Sequence, residues 1–342
     1  MPRRARPCRK VFVTRTIDSA ALERIRAAAA VTVWRDEMPP PASALRAALA
    51  NADAVLSMIT DKIDARVIAD APRLRVISNL GVGVDNIDLD AATRAGIAVG
   101  HTPGVLTEAT ADLAFGLLMA TARRIAEADR HVRAGKWRTW GPMMMLGHDV
   151  YSSTLGIIGF GAIGQAMARR AMGFGMRVLY LKHPSSKRIT RREDSRPAGA
   201  VAVTLPRLLA ESDYVSIHVP LTAKTRHMIG AREFAMMKPG AILINTARGA
   251  VVDQAAMVAA LKSRRLGGAG LDVTDPEPIA HRDPLLRLDN VVITPHIGSA
   301  SIATRARMAA VAADNILAVL SGRVPRWCAN PRVRLRPFTD AT

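Results

Sequence analysis

Three polar segments interrupt apolar runs in the second half of the chain. They are Asn245-Thr246-Ala247-Arg248-Gly249, Leu271-Asp272-Val273-Thr274-Asp275-Pro276-Glu277-Pro278 and Thr294-Pro295-His296-Ile297-Gly298-Ser299. Each follows a short β-rich run, so each falls at the carboxyl end of a strand, where α/β sheets gather their ligands. Arg248, Glu277 and His296 are the residues whose chemistry combines. A ketone that accepts a hydride needs a proton for the developing alkoxide, and histidine is the usual donor. A carboxylate on the far ring nitrogen orients the imidazole and favours its protonated form. An anionic substrate needs a fixed cation, and arginine offers two parallel donors. Singly, each residue has a plain explanation: a surface charge, a turn residue beside prolines, a capped loop histidine. As a set, they could fill the roles of proton donor, its partner and carboxylate clamp.

A glycine motif gives that set its context. Gly159-Phe160-Gly161-Ala162-Ile163-Gly164 follows an apolar strand and opens a helix rich in Ala and Met. In a dinucleotide-binding turn the first glycine permits the bend and the second lets the backbone approach a pyrophosphate. The third packs helix on strand, and the helix N-terminus faces the phosphates. An NAD site usually carries Asp or Glu about 20 residues further on, against the ribose 2′-hydroxyl. Here the second strand ends Leu179-Tyr180-Leu181-Lys182-His183, with Lys187 and Arg188 close behind and no carboxylate. Lys182, His183 and Arg188 therefore suit a 2′-phosphate, and the expected cofactor is NADP(H), with NAD(H) as the alternative.

The elements that must position these residues form two alternating series. The first is expected to place strands at 10–14, 31–34, 54–59, 74–78 and 97–99, with helices at 19–29 (Asp18 as N-cap) and 43–50. One long helix is expected from 107 to 133, stopped by Gly135. The second series is expected to place strands at 155–158, 177–181, 214–218, 241–245, 269–272 and 291–294, followed by a helix at 302–320. Strand–helix alternation predicts parallel sheets covered on both faces. The fold expected is therefore α/β with two doubly wound parallel-sheet domains, one flavodoxin-like and one Rossmann, and a cleft between them. The first would hold 1–103 with 299–342 and the substrate, the second 104–298 and the cofactor.

Composition narrows the classes of function. The chain has 342 residues with 49% apolar and 23% charged, as a globular protein has. Its formal charge is +19, from 48 Lys and Arg against 29 Asp and Glu, but the basic residues are spread along the chain. Aromatics are only 4%, too few for base-stacking platforms, so no nucleic-acid partner is expected. No apolar run approaches the roughly 18 residues of a membrane span. Arg15 and Asp18 interrupt any secretory h-region. Two cysteines, Cys8 and Cys328, form no disulfide framework or zinc cluster, so no metal and a reducing cytoplasm are expected.

These motifs resemble the D-isomer-specific 2-hydroxyacid dehydrogenases, and among them most the glyoxylate/hydroxypyruvate reductases. The similarity runs from about Lys10 to Pro325 and includes the stretch from Asn79 to Asp88, the stretch from Thr102 to Asp112 and all three polar segments. The resemblance implies reduction of a small 2-keto acid to the 2-hydroxy acid. It makes Arg248 the carboxylate clamp, His296 the acid/base and Glu277 its partner. It puts the amides of Val82 and Gly83 on the substrate carboxylate, and Gly298 and Ser299 on the floor beside His296. Gly159, Gly161, Ala162, Ile163 and Gly164 would line the pyrophosphate, with Thr107, Pro220, Thr246 and Asp272 near the cofactor and Asp272 facing the nicotinamide carboxamide. Residues 137–147 resemble the arm by which members pair into homodimers, although this one carries Met143-Met144-Met145 where relatives often place an aromatic. Other readings within reach are a 2-ketogluconate reductase, a phosphoglycerate dehydrogenase-like enzyme, or a cofactor-sensing corepressor-like binder.

Overall fold

The computed structural model describes residues 9–181, 197 and 199–338. It divides into two compact units, Met1–Leu106 with Ala300–Thr342, and Thr107–Ser299. Both are parallel-sheet α/β folds.

In the first unit the order is β1 (Lys10–Val13), α1 (Ser19–Arg26), β2 (Ala30–Val33), α2 (Ala42–Ala50), β3 (Ala54–Ser57), α3 (Ala65–Ala69), β4 (Val76–Asn79), α4 (Leu89–Arg94) and β5 (Ala98–Gly100). The sheet runs β2-β1-β3-β4-β5, all parallel, which is the flavodoxin-like order. Central strands β3 and β4 are buried throughout, whereas edge strand β2 is half-exposed. Asp18, Asp64 and Asp88 cap α1, α3 and α4 by accepting N–H bonds from the first helical turn.

The second unit contains α5 (Thr107–Ala122), α6 (Ile125–Arg133), β6 (Thr154–Ile158), α7 (Ala162–Gly173), β7 (Arg177–Leu181), β8 (Val201–Val203), α8 (Leu205–Glu211), β9 (Tyr214–Ile217), α9 (Ala231–Met236), β10 (Ala241–Asn245), α10 (Gln254–Lys262), β11 (Leu266–Leu271) and β12 (Val291–Ile293). Its sheet runs β12-β11-β10-β9-β6-β7-β8, again parallel. Strand order reverses between β6 and β9, and this switch point is where such sheets bind ligands beyond their carboxyl ends. The last helix, α11 (Ile302–Leu320), belongs to the first unit and packs on α1, β3, β4 and β5.

Two expectations about elements need correction. The helix expected from 107 to 133 is broken into α5 and α6 at Arg124, whose φ is +54°. The carbonyl of Ala122 accepts the His148 N–H at 2.9 Å, and a Cβ at Gly147 would lie 2.3 Å from that same oxygen. The returning chain therefore takes the carbonyl that would have continued the helix. Arg124 closes the break with a bidentate pair to Glu127, at 2.8 and 2.7 Å. Strand β11 begins three residues earlier than expected, because Gly267 and Gly268 hide the strand signal. Both are required by close contacts: a Cβ at Gly267 would meet the Gly240 carbonyl oxygen at 2.2 Å. Beyond α6, Gly135 takes a left-handed φ of +66° while Lys136 N–H returns to the His131 carbonyl, as in a helix stop.

Candidate active site

Strands β10, β11 and β12 are neighbours and parallel, so the three polar segments emerge side by side at one edge of the second sheet. After β11, Asp272 is buried, at 1% exposure, and its carboxylate is occupied by the loop that follows β12. One oxygen accepts the Thr294 hydroxyl at 2.6 Å and the Ile297 N–H at 2.8 Å; the other accepts the Gly298 N–H at 2.7 Å. The Asp272 carbonyl also takes the His296 N–H at 3.0 Å. These bonds hold His296 at φ +54°, a left-handed conformation that non-glycine residues rarely adopt.

So held, His296 turns Nδ1 to Glu277 Oε1 at 2.5 Å. An ionised carboxylate only accepts, so Nδ1 carries the shared proton and Nε2 is the atom left for exchange. Among the described residues Nε2 has no hydrogen-bond partner. The His296 side chain is a quarter exposed and Glu277 a third, so the pair is open at the rim.

After β10, Arg248 is half-buried and donates from Nη1 to the Ala247 carbonyl at 2.8 Å. Asn245 brackets the same turn. Its Oδ1 accepts the Ala247 N–H at 3.0 Å and its Nδ2 donates to the Arg248 carbonyl at 2.9 Å. Gly249 then lies flat against the next segment: a Cβ there would be 2.0 Å from the Thr274 carbonyl oxygen. Arg248 is thereby tied to the segment that carries Glu277. Thr246 is buried, and its hydroxyl has no partner among the described residues.

At the switch point each glycine of the motif answers to a different constraint. Gly159 has φ +102°, and a Cβ there would be 2.5 Å from the His218 carbonyl oxygen. A Cβ at Gly164 would meet the Gly159 carbonyl oxygen at 2.1 Å. Gly161 is different, since its φ of −76° is ordinary and a Cβ would touch nothing within 4 Å. That space is open to solvent. Gly161 is also the N-cap of α7 and supplies no side-chain cap, leaving the N–H groups of the first turn available to an anion. Room, amides and the orphaned Thr246 hydroxyl together fit a dinucleotide. Phe160 stacks on Tyr180, with ring centroids 4.0 Å apart and planes 11° from parallel, bracing the motif against β7. Beside it, the backbone N–H of His218 donates to the Ile158 carbonyl at 2.7 Å, and Ser216 Oγ bonds its Nε2 at 2.8 Å. Although part of its surface reaches solvent, burial of the His218 ring pushes its pKa down to about 4.

Thr107 opens α5, Pro220 stands exposed after β9 with its carbonyl accepting the Thr225 hydroxyl, and Ser299 follows Gly298. Gly298 has little room, as a Cβ would come within 3.1 Å of Asp272. Lys182, His183 and Arg188 lie outside the described residues. Val82 and Gly83 are in the first unit, in the turn after β4. There the Gly81 carbonyl accepts Thr102 N–H, the Val82 carbonyl meets His101 Nδ1 and the Gly83 carbonyl accepts Asn79 Nδ2. With those carbonyls engaged, the N–H groups of Val82 and Gly83 have no partner among the described residues, a disposition suited to a carboxylate.

Sequence reasoning did not give Asn245 or Thr294 a role, and it gave Asp272 a cofactor contact without its hold on the histidine loop. An Asn ending the apolar strand Ala-Ile-Leu-Ile-Asn was the available signal, since Asn brackets the backbone two residues on. Among the described residues no group of three or more His, Cys, Asp and Glu is placed to hold a metal. None of the described helices is long and apolar enough to cross a membrane.

Known proteins resemble this chain in sequence and fold over most of its length. The NAD-binding domain of the D-isomer specific 2-hydroxyacid dehydrogenases matches residues 115–298. A glyoxylate reductase of Korarchaeum cryptofilum is 52% identical over 331 residues, covering 96% of this chain and 98% of the relative. Among solved structures, a Thermus thermophilus protein superposes with a TM-score of 0.87 at 48% identity, covering 94% of this chain and 99% of its own. An NADPH-dependent glyoxylate/hydroxypyruvate reductase of Sinorhizobium meliloti, in complex with NADP and malonate, gives 0.82 at 31% identity, with 97% and 99% covered.

Proposed function

Since the chain belongs to the D-isomer-specific 2-hydroxyacid dehydrogenase family and is a nicotinamide-dependent oxidoreductase, we propose that it reduces glyoxylate and hydroxypyruvate to their 2-hydroxy acids. The observation that carries this reading is the Glu277–His296 pair, which leaves Nε2 open at the same end of the sheet from which the Arg248 segment emerges. Relatives named glyoxylate reductase, at up to 52% identity over most of the chain, support the substrate class.

A bound nicotinamide would supply the hydride that the carbonyl carbon accepts. Arg248 binds the substrate carboxylate through its planar fork and draws charge toward the keto oxygen. His296 Nε2 gives its proton to that oxygen as the carbonyl π bond breaks, so one hydride and one proton make the alcohol. Glu277 holds Nδ1–H, fixing the ring and stabilising the imidazolium before it discharges. Ala162 and Ile163 in the first turn of α7, with Gly159 and Gly161, would hold the pyrophosphate, and Thr246 would offer its unpartnered hydroxyl to the cofactor.

We assign NADP(H) as the preferred cofactor, with NAD(H) as a weaker one. The support is the run Lys182, His183, Lys187 and Arg188 where an Asp would repel a 2′-phosphate. One charge-assisted contact to phosphate is worth about ten- to a hundredfold in affinity. A panel of glyoxylate, hydroxypyruvate and 2-ketogluconate with both cofactors tests the reading. Higher kcat/KM with NADPH on the two small acids is expected. Equal or better efficiency with NADH contradicts the cofactor assignment, and turnover confined to a larger sugar acid contradicts the substrate.

A further inference from the structure

We infer that Asn245 is a positioning residue for the carboxylate clamp, acting through the main chain of Arg248. The inference rests on the assignment of Arg248 as that clamp.

Asn245 closes strand β10 and is 1% exposed, yet every polar group it carries is engaged at the site edge. Oδ1 accepts from Ala247 N–H and Nδ2 donates to the Arg248 carbonyl. That carbonyl also accepts the Val251 N–H at 3.3 Å, starting the short 3-10 turn Gly249–Val251. Arg248 is therefore held in extended backbone, φ −145° and ψ 140°, between a strand and a turn. Its Cα–Cβ direction is set by the bracket, and the side chain leaves from a fixed root.

The chemistry of the residue type matters. A primary amide accepts at one atom and donates at the other, which is what a bracket from an N–H to a carbonyl requires. An Asp keeps the bond to Ala247 but turns a second acceptor on the Arg248 carbonyl. An Ala leaves the part-buried Ala247 N–H without its acceptor and the Arg248 carbonyl with only the long bond from Val251 N–H. The backbone of Asn245 meanwhile accepts the Asp272 N–H at 2.9 Å, so this one residue ties the arginine turn to the aspartate that holds the histidine loop.

A double-mutant cycle tests the inference. Asn245→Ala and Asn245→Asp are each made in the native sequence and in Arg248→Ala. For each protein, kcat/KM for glyoxylate, cofactor Kd and Tm are measured, the slowest variants at high enzyme concentration. In the native background either change is expected to lower kcat/KM about ten- to a hundredfold, the loss of one or two buried hydrogen bonds. Cofactor Kd is expected to stay within about twofold. With Arg248 already gone, the same change is expected to cost less than about twofold, since its effect runs through the missing side chain. Full multiplication of the two losses overturns the inference, as does an unchanged kcat/KM in the single variant or a cofactor affinity that falls in step. Should Asn245→Ala not fold, Asn245→Asp carries the cycle. If Arg248→Ala alone retains native kcat/KM, the clamp assignment itself fails, an outcome distinct from additivity.

Discussion

The chemistry at the residue scale depends on which atom of each side chain is already engaged. His296 has spent Nδ1 on Glu277, and Asp272 has spent both oxygens on the loop behind it. Arg248 differs from a lysine in the fork it presents. Arg248→Lys keeps the charge and loses the second parallel donor, so KM for the keto acid should rise and kcat fall, with cofactor Kd unchanged. Steady-state kinetics with wild-type constants for this variant would place the clamp elsewhere. His218 makes a second prediction, about pH. Its folded pKa of about 4 lies below the ordinary 6.5, so between those values the unfolded chain binds the extra proton. Its share of stability is present above pH 6.5 and lost as pH falls toward 4. Thermal melts of His218→Asn should accordingly show a shallower fall of Tm across that window than the native protein; parallel curves would mean that the histidine is not buried as described.

The question at the element scale is which glycines answer to the fold and which to a ligand. Gly161→Ala meets open space, so Tm should hold while cofactor affinity drops about ten- to a hundredfold through lost approach to the pyrophosphate. Gly249→Ala puts a Cβ into the Thr274 carbonyl, so it should lower both Tm and kcat. The reverse pattern, with Gly161→Ala unfolding and Gly249→Ala neutral, would contradict the packing around both turns. Much of this layer was legible in the chain. β7 and β10 fall where apolar periodicity sets them, and Asp18 caps α1 because its short carboxylate reaches a first-turn N–H. What escaped was decided by distant partners. Arg124 breaks a helix that local propensity would continue, because residues 147 and 148 claim the Ala122 carbonyl. β8 is a three-residue edge strand with two exposed positions, too short for a period to register. The polar segments could be read as a set from residue type, but not the left-handed turn of His296, which the buried Asp272 imposes from another strand.

At the scale of the whole molecule, α6 and the segment after it present apolar side chains to solvent. α6 buries none of its residues although Ile125 and Val132 are half-exposed, and the following segment presents Trp137, Trp140, Met143 and Leu146. Trp140 is 74% exposed and Met143 77%, in a chain whose charge of +19 would otherwise keep copies apart. Large apolar side chains exposed in this number along one segment are ordinarily covered. Residues 137–147 resemble a pairing arm, and a second copy is the cover that this resemblance implies. Light scattering should find a dimer, and Trp140→Glu with Met143→Glu should shift it to monomer; a native monomer would contradict the reading.

Proton delivery by His296 is tested by measuring glyoxylate reduction and cofactor Kd in His296→Ala. Removal of a general acid costs about a hundred- to ten-thousandfold in rate, and the side chain is not proposed to hold the pyrophosphate. The expected result is kcat lowered by that factor with Kd unchanged, whereas turnover near the native rate would contradict the account.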